Sequence, residues 1–288
     1  MENQNFLREI GRIVAGGYYD YQQVRLAAMN RLRGVVRTKN EGIDLSAPEE
    51  KKKEKKFDKK YADNNIFVLL GEMKMDGRID NEEYEYVSKL QDLFITAAKM
   101  EKGWKDVMNE YIKTEDIWKM WLSGVKGIST VLCANMLREF GYCETYRHIS
   151  SLWKHCGLHV VDGKAPRRKR GEKIDFSPRL RTLAWKIGDS FVKQRTPYYR
   201  DVYDKEKERQ VKLMENGADN APESLLHAEL RARRKMVKIF LAHYWFVARS
   251  IKGLEVEQPY VAKLGHRIIM PRFDEERGIY RIDSNSLR

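Results

Sequence analysis

Cysteine is scarce in this chain: three residues, Cys133, Cys143 and Cys156, among 288. An odd number in a chain this long argues against a disulfide framework and for a reducing, intracellular setting. Zinc is poorly served too: Cys133, Cys143, Cys156, His148, His155 and His159 include no Cys-x-x-Cys pair, Cys133 falls on the apolar face of the hairpin helix, and closed tetrahedral sites want tight pairs. No metal and no cofactor is expected. Long apolar runs are missing. The longest, Ile239 to Ala248, is too short to cross a bilayer and contains His243, so it reads as a buried helix and no membrane partner is expected. The start, Met1-Glu2-Asn3-Gln4-Asn5, lacks the basic and apolar regions of a secretion signal. Carboxylates are in deficit: 42 Asp and Glu against 55 Lys and Arg give a formal net charge of +13. That excess makes polyanions the expected partners and leaves the fold undecided.

What the chain does have is helical periodicity. Val24, Ala28, Leu32 and Val35 recur at helical spacing and should face a core, with Arg25, Arg33 and Arg37 turned to solvent or phosphate. Gly16-Gly17 should break this helix or admit another backbone. Thr38 to Lys60 reads as a linker whose run Lys51-Lys52-Lys53-Glu54-Lys55-Lys56 is a solvated tract or a DNA-contacting arm. Glu72 to Glu83 has Gly77, Ile79 and Glu83 at EF-hand positions, but Lys74 stands where an oxygen ligand is needed. An Asp76-Gly77 turn followed by an Asp80/Glu83 capping box explains more. The next helix carries an inward stripe of Tyr84, Val87, Leu90, Leu93, Phe94 and Ala97, and Gly103 ends or interrupts it. Trp104, Trp118 and Trp121 follow a helical period and read as core filling.

Two stretches carry the function. In the first, Trp118-Trp121-Leu122, Gly124 to Ser129 and Val131 to Leu137 read as helix, hairpin and helix. A tight glycine turn before a helix start offers unpaired N–H groups to anions, so Gly124, Lys126, Gly127, Ser129 and Thr130 are candidate phosphate contacts, with Ser129 also a helix cap. The second, Gly157 to Gly171, leads into Ser177-Pro178-Arg179-Leu180-Arg181. Gly163, Pro166 and Gly171 mark a loop, and Lys164, Arg167, Arg168, Lys169, Arg170 and Lys173 would neutralise phosphates there, joined by Arg179 and Arg181. Asp162 with Glu172 or Asp175 could be read as a magnesium set, yet a segment this basic reads better as an anion-binding loop. Further on, the helix after Pro178 buries Leu180, Leu183, Ala184, Ile187 and Phe191. A last long helix, opening at Ala221-Pro222-Glu223, should face Leu226, Leu230, Val237, Leu241 and Tyr244 inward and carry a basic flank of Arg231, Arg234, Lys235 and Lys238.

Val125-Lys126-Gly127-Ile128 resembles the helix-hairpin-helix motif, with Ser129 in place of its second glycine. The order of the hairpin, Phe140-Gly141, Leu152 to Leu158, Asp162-Gly163-Lys164, Leu180 to Ala184 and the Arg231 to Tyr244 helix resembles one family. It is similar to the C-terminal domain of the bridge-RNA-guided insertion-sequence transposases of the IS-one-ten type, over roughly Trp118 to Leu254. The resemblance implies a platform that grips the sugar-phosphate backbone without reading sequence. It also implies a nucleophilic serine immediately before Gly163, where this chain has Asp162, a carboxylate that would repel phosphate rather than attack it. The family's RuvC-like nuclease domain has no counterpart in the helical pattern of Met1 to Lys119.

The expected architecture is therefore all-α. It comprises a helical segment 1–38, a charged linker 39–60, a helical region 61–117, a helix-hairpin-helix, transposase-like domain 118–254 and a tail 255–288 read as packed coil or a small hairpin. The expected function is a DNA-binding protein for duplex or branched DNA without catalysis of its own, its oligomeric state left open. The alternatives are a transposase or recombinase with a displaced nucleophile and a structured-RNA-binding protein.

Overall fold

The computed structural model describes residues 2–41, 63–161, 163–168, 170–257 and 269–282, with backbone alone at 2–10, 12, 40–41 and 63–64. Among these the architecture is all-α, nine α-helices and one small two-stranded ribbon. The chain divides into two compact units, Met1–Met108 and Asn109–Arg288.

The first unit is built from α1 (Glu2–Glu41), α2 (Asp63–Met75) and α3 (Asn81–Thr114), the end of α3 from Asn109 onward belonging to the second unit. Its core joins Met29, Leu32 and Val36 of α1 to Ile66, Leu70 and Met73 of α2, with Ile79 and Val87 beside them. The linker expected at 39–60 lies largely outside the described residues; its first residues continue α1 to Glu41.

Gly16 and Gly17 do not break α1. Gly17 instead leaves room for the Trp104 ring, which would lie 2.6 Å from a Cβ there. Each helical glycine costs about 1 kcal/mol, and seating an indole across the interface offsets that. Gly103 does not interrupt α3 either, because Ala97 and Met108 on each side of it are buried and hold the helix in place.

The arginine face of α1 is also corrected. Arg25 Nε donates to Glu101 Oε2 at 2.5 Å and Gln22 Nε2 to Glu101 Oε1 at 3.0 Å, so that face meets α3. Val24, expected inward, is 39% exposed, whereas Arg37 is buried. Leu93, expected in the α3 stripe, is exposed as well. The α2–α3 turn forms as expected. Gly77 has φ +80°, the Glu83 N–H donates to Asp80 Oδ1 at 2.8 Å, and the Asp80 N–H donates to Glu83 Oε2 at 3.2 Å.

The second unit contains α4 (Asp116–Met120), a 3-10 turn (Leu122–Gly124), α5 (Thr130–Phe140), α6 (Ile149–His155), α7 (Pro178–Gln194), α8 (Tyr199–Glu215) and α9 (Leu225–Ile251). Strands β1 (Arg272–Asp274) and β2 (Ile279–Arg281) pair antiparallel, with Phe273 opposite Tyr280. Helix α9 is the hub, packing on α4, α6, α7 and α8. Its buried ridge of Ala228, Ala232, Met236, Phe240, Tyr244 and Ala248 follows a spacing of four.

That ridge overturns two expectations. Leu226 and Leu230 are 64% and 48% exposed, because the aromatic second half of α9 sets its rotation and gives Ala228 and Ala232 the inward positions. The helix also opens later than expected, at Ser224, whose Oγ accepts from the His227 N–H at 3.2 Å.

Phe240 stacks on Trp121 at 5.7 Å and meets Phe191 edge-on at 4.9 Å, so both residues serve the core. The C-terminal half of α9 holds the loop after α5. Tyr244 Oη donates to Gly141 O at 2.7 Å, Trp245 Nε1 to Tyr146 O at 2.7 Å, and Arg249 Nη1 to Cys143 O at 2.9 Å. No helix among the described residues is long and apolar enough to cross a membrane.

Candidate nucleic-acid interface

The hairpin begins where the 3-10 turn closes, with the Val125 N–H donating to Leu122 O at 3.1 Å and the Ile128 N–H to Val125 O at 3.0 Å. The chain reverses at Gly127, φ +91°, a region that side chains disfavour. Ile128 and Leu132 are buried and anchor the turn. Its carbonyls are engaged: Thr196 Oγ1 donates to Lys126 O at 2.8 Å and Ser190 Oγ to Gly127 O at 2.6 Å. A Cβ on Gly127 would lie 3.1 Å from Thr196 Oγ1 and 3.2 Å from Ser190 Oγ, so a side chain there would have to push both hydroxyls by a few tenths of an ångström.

The amides of the hairpin are largely unengaged. Ser129 caps α5 by accepting from the Leu132 N–H at 3.3 Å, and the Thr130 hydroxyl donates to Asn109 Oδ1. Among the described residues, no protein acceptor meets the N–H groups of Lys126, Gly127, Ser129, Thr130 and Val131. Gly124, Lys126 and Ser129 are exposed.

The basic loop is pinned at both ends. Gly157 has φ +63°, and a Cβ there would meet Phe176 at 2.9 Å. The Ser177 N–H donates to His155 O at 2.9 Å, and Ser177 Oγ caps α7 by accepting from the Leu180 N–H at 3.4 Å. Between these points Val161 and Lys164 exchange backbone hydrogen bonds at 2.9 Å around Gly163. Arg181 Nη1 donates to Pro166 O at 2.5 Å, with its guanidinium 5.0 Å from the Phe176 ring centroid.

Lys164, Arg167, Arg168, Arg170 and Lys173 are exposed. Among the described residues none of them pairs with a carboxylate. Asp162 and Lys169 lie outside the described residues. Arg179 is already neutralised, donating to Glu139 at 3.0 Å. Asp175 lies 3.7 Å from Lys154 Nζ and 3.1 Å from His159 Nε2, so a lysine already stands beside one carboxylate of the magnesium reading.

Hairpin and loop do not merge into one patch. The hairpin docks on Ser190 and Thr196 at the end of α7, while the loop docks on Arg181 and Ser177 at its start. Arg181 and Ser190 are separated along the helix by roughly 13 Å, at 1.5 Å per residue. The arrangement is therefore two cationic points on one rod. Arg195 joins the hairpin end: it is exposed, adopts φ +50°, and precedes the Thr196 that binds Lys126 O. Nothing local in the sequence marks Arg195, because only the tertiary bond of its neighbour brings it there.

The three cysteines are free and buried. Burial pushes the Cys133 and Cys143 thiols well up and Cys156 to about 12, which disfavours the thiolate that metal binding needs. The basic flank expected on α9 is split. Lys235 Nζ donates to Glu206 Oε2 at 2.6 Å, and Arg231 Nη1 donates to Asn220 O at 2.6 Å and Gln210 Oε1 at 3.1 Å. Arg234 and Lys238 turn inward instead, half-buried. Compared with known proteins, the chain matches no protein family, no curated protein and no solved structure.

Proposed function

We propose that this protein binds nucleic acid, DNA first of all, by gripping the sugar-phosphate backbone at the two ends of α7. One observation carries the reading. The turn has the Lys126 and Gly127 carbonyls fixed to Thr196 and Ser190, while among the described residues the amides of Lys126, Gly127, Ser129, Thr130 and Val131 meet no protein acceptor beside the exposed Lys126 side chain. Such a turn hydrogen-bonds an oxyanion without base readout. The loop cations at the other end add charge that would displace condensed counterions. Two grips separated by a groove-scale distance suit duplex or branched DNA better than an isolated phosphate. The resemblance to the transposase C-terminal domain supports a mobile-element origin with a binding role and no catalysis of its own. The free, buried cysteines fit an intracellular setting.

The test is a salt-titrated binding series of the full chain over duplex, single-stranded and four-way-junction DNA and structured RNA. Duplex or junction DNA should bind tightest, with affinity falling linearly in log salt. Structured RNA binding tighter than every DNA would move the assignment to RNA. Indifference to all four at low ionic strength would remove it. A magnesium-supplemented cleavage and strand-transfer assay on the same DNAs should give no product; product would make the protein a transposase or recombinase.

A further inference from the structure

Cations on α9 fall into two groups. Lys235 has found a carboxylate and Arg231 a set of neutral acceptors. Arg234 and Lys238, one helical turn apart, have neither. Arg234 Nη1 is closed off from solvent and meets no hydrogen-bond acceptor among the described residues. Lys238 Nζ lies 4.3 Å from the Trp153 ring centroid, and Trp153 Nε1 donates to Lys238 O at 3.0 Å. The indole thus fixes the lysine from below without neutralising it.

The third cation is Arg181 of α7, a helix that crosses α9 where a Cβ on Gly188 would lie 2.8 Å from both Arg233 Cγ and Val237 Cγ2. The Arg181 charge acts on Arg234, and its Nη1 is already given to Pro166 O. Burial first, then the charges of Arg231 and Arg181, lower the pKa of Arg234; burial, then Arg234, lower that of Lys238. Among the described residues no carboxylate pairs with Arg181, Arg234 or Lys238. Gathering like charges in a half-buried place is unfavourable unless an anion comes to them.

We propose that Arg181, Arg234 and Lys238 form a site for one phosphate group, with Arg167 and Arg168 following Pro166 at its edge. The guanidinium forks suit a tetrahedral oxyanion, and the lysine supplies a point charge held by Trp153. Two sources share this chemistry, a terminal phosphate on a nucleic-acid strand and a free polyphosphate. The strand source rests on the nucleic-acid reading above, whereas the site itself does not.

The experiment uses the full chain and the variants Arg234→Met and Lys238→Met, each checked for helicity by circular dichroism. Inorganic pyrophosphate is the first probe, read by melting temperature and calorimetry. Oligonucleotides with a 5′-phosphate or a 5′-hydroxyl are the second. The wild type should gain melting temperature with pyrophosphate, and both variants should bind it at least about tenfold more weakly. Without ligand, the variants should melt at or above the wild type, since an uncompensated cation has gone. A 5′-phosphate preference present in the wild type and lost in the variants assigns the strand source; a pyrophosphate effect without that preference assigns the free anion. Variants that bind pyrophosphate like the wild type would overturn the site, as would a wild type indifferent to both probes. Lys126→Glu separates the two readings: it should weaken DNA binding at the hairpin, while the loss of pyrophosphate affinity on Arg234→Met should be the same in that background as in the wild type.

Discussion

Gly124 and Gly127 flank the same bend and ask different things of the backbone. Gly127 has φ +91° and sits against Thr196 and Ser190, whereas Gly124 keeps an ordinary φ and has nothing within 4 Å of a Cβ. Gly127→Ala should therefore lower stability by about 1–3 kcal/mol and weaken DNA binding, while Gly124→Ala should change stability by less than about 1 kcal/mol. Denaturant melts of the two variants check this; equal losses would mean the turn is not strained at Gly127. A second residue-scale effect is acid sensitivity. His243 is fully buried, accepts or shares a hydrogen bond with Tyr199 Oη at 2.9 Å, and burial lowers its pKa from 6.5 to about 3. The unfolded chain takes up the proton first, so this histidine's contribution is intact above pH 6.5 and lost progressively as pH falls toward 3, by up to about 1.4 kcal/mol per pH unit. Glu206 adds to the slope lower down. Burial alone would raise its pKa, but hydrogen bonds from Arg209, Lys235 and Gln210 outweigh it and hold the group at about 2. Its contribution is present above pH 4.5 and fades below. Melting temperature followed from pH 7 to 4 should decline, and His243→Gln should flatten the decline between pH 6.5 and 4.5. An unchanged slope in that variant would assign the sensitivity elsewhere.

At the scale of elements, periodicity located helices well and glycines poorly. Asp80 and Glu83 form the reciprocal cap that their spacing implies, since capping depends only on residues along one turn. Asp80→Ala should cost about 1 kcal/mol, and calcium should leave the melting temperature of the wild type unchanged; a calcium-induced rise would restore the EF-hand reading. Gly16, Gly17 and Gly103 look like breaks in a linear string, yet α1 and α3 run through them. The decisive partner of Gly17, Trp104, is distant in sequence. Gly17→Ala should overpack that contact and destabilise by about 1–3 kcal/mol, read as a lower denaturation midpoint. The rotation of α9 was illegible for the same reason: Leu226 and Leu230 outrank alanine in any apolar pattern, but the Phe240 and Tyr244 end decides which face turns in.

For the whole molecule, the hairpin and the basic loop dock at opposite ends of α7, and for the proposed binding that distance has an energetic consequence. Sites more than about 7–10 Å apart without shared partners behave additively. Arg167→Ala, Arg168→Ala and Arg170→Ala together should weaken DNA binding across sequences and reduce the salt slope by roughly one for each phosphate no longer neutralised. Lys126→Glu should weaken binding at the other end, and combining the two sets should sum their free energies. Strong non-additivity would mean that hairpin and loop share one phosphate. An unchanged slope in the loop variant would take those arginines out of the interface.

By itself the sequence determined the helical class, the capping of α3 and α5, the glycine turn of the hairpin, and which loop concentrates cations. Each is written in composition or in residues close along the chain. Only the tertiary structure decided that Thr196 and Ser190 engage the hairpin carbonyls, that Arg195 belongs beside Lys126, that Arg179 is neutralised by Glu139, and that Arg181, Arg234 and Lys238 find no paired carboxylate among the described residues. A hydrogen bond or an uncompensated charge depends on which groups meet in space, and helices rotate to bury their largest aromatic surface before such meetings are fixed.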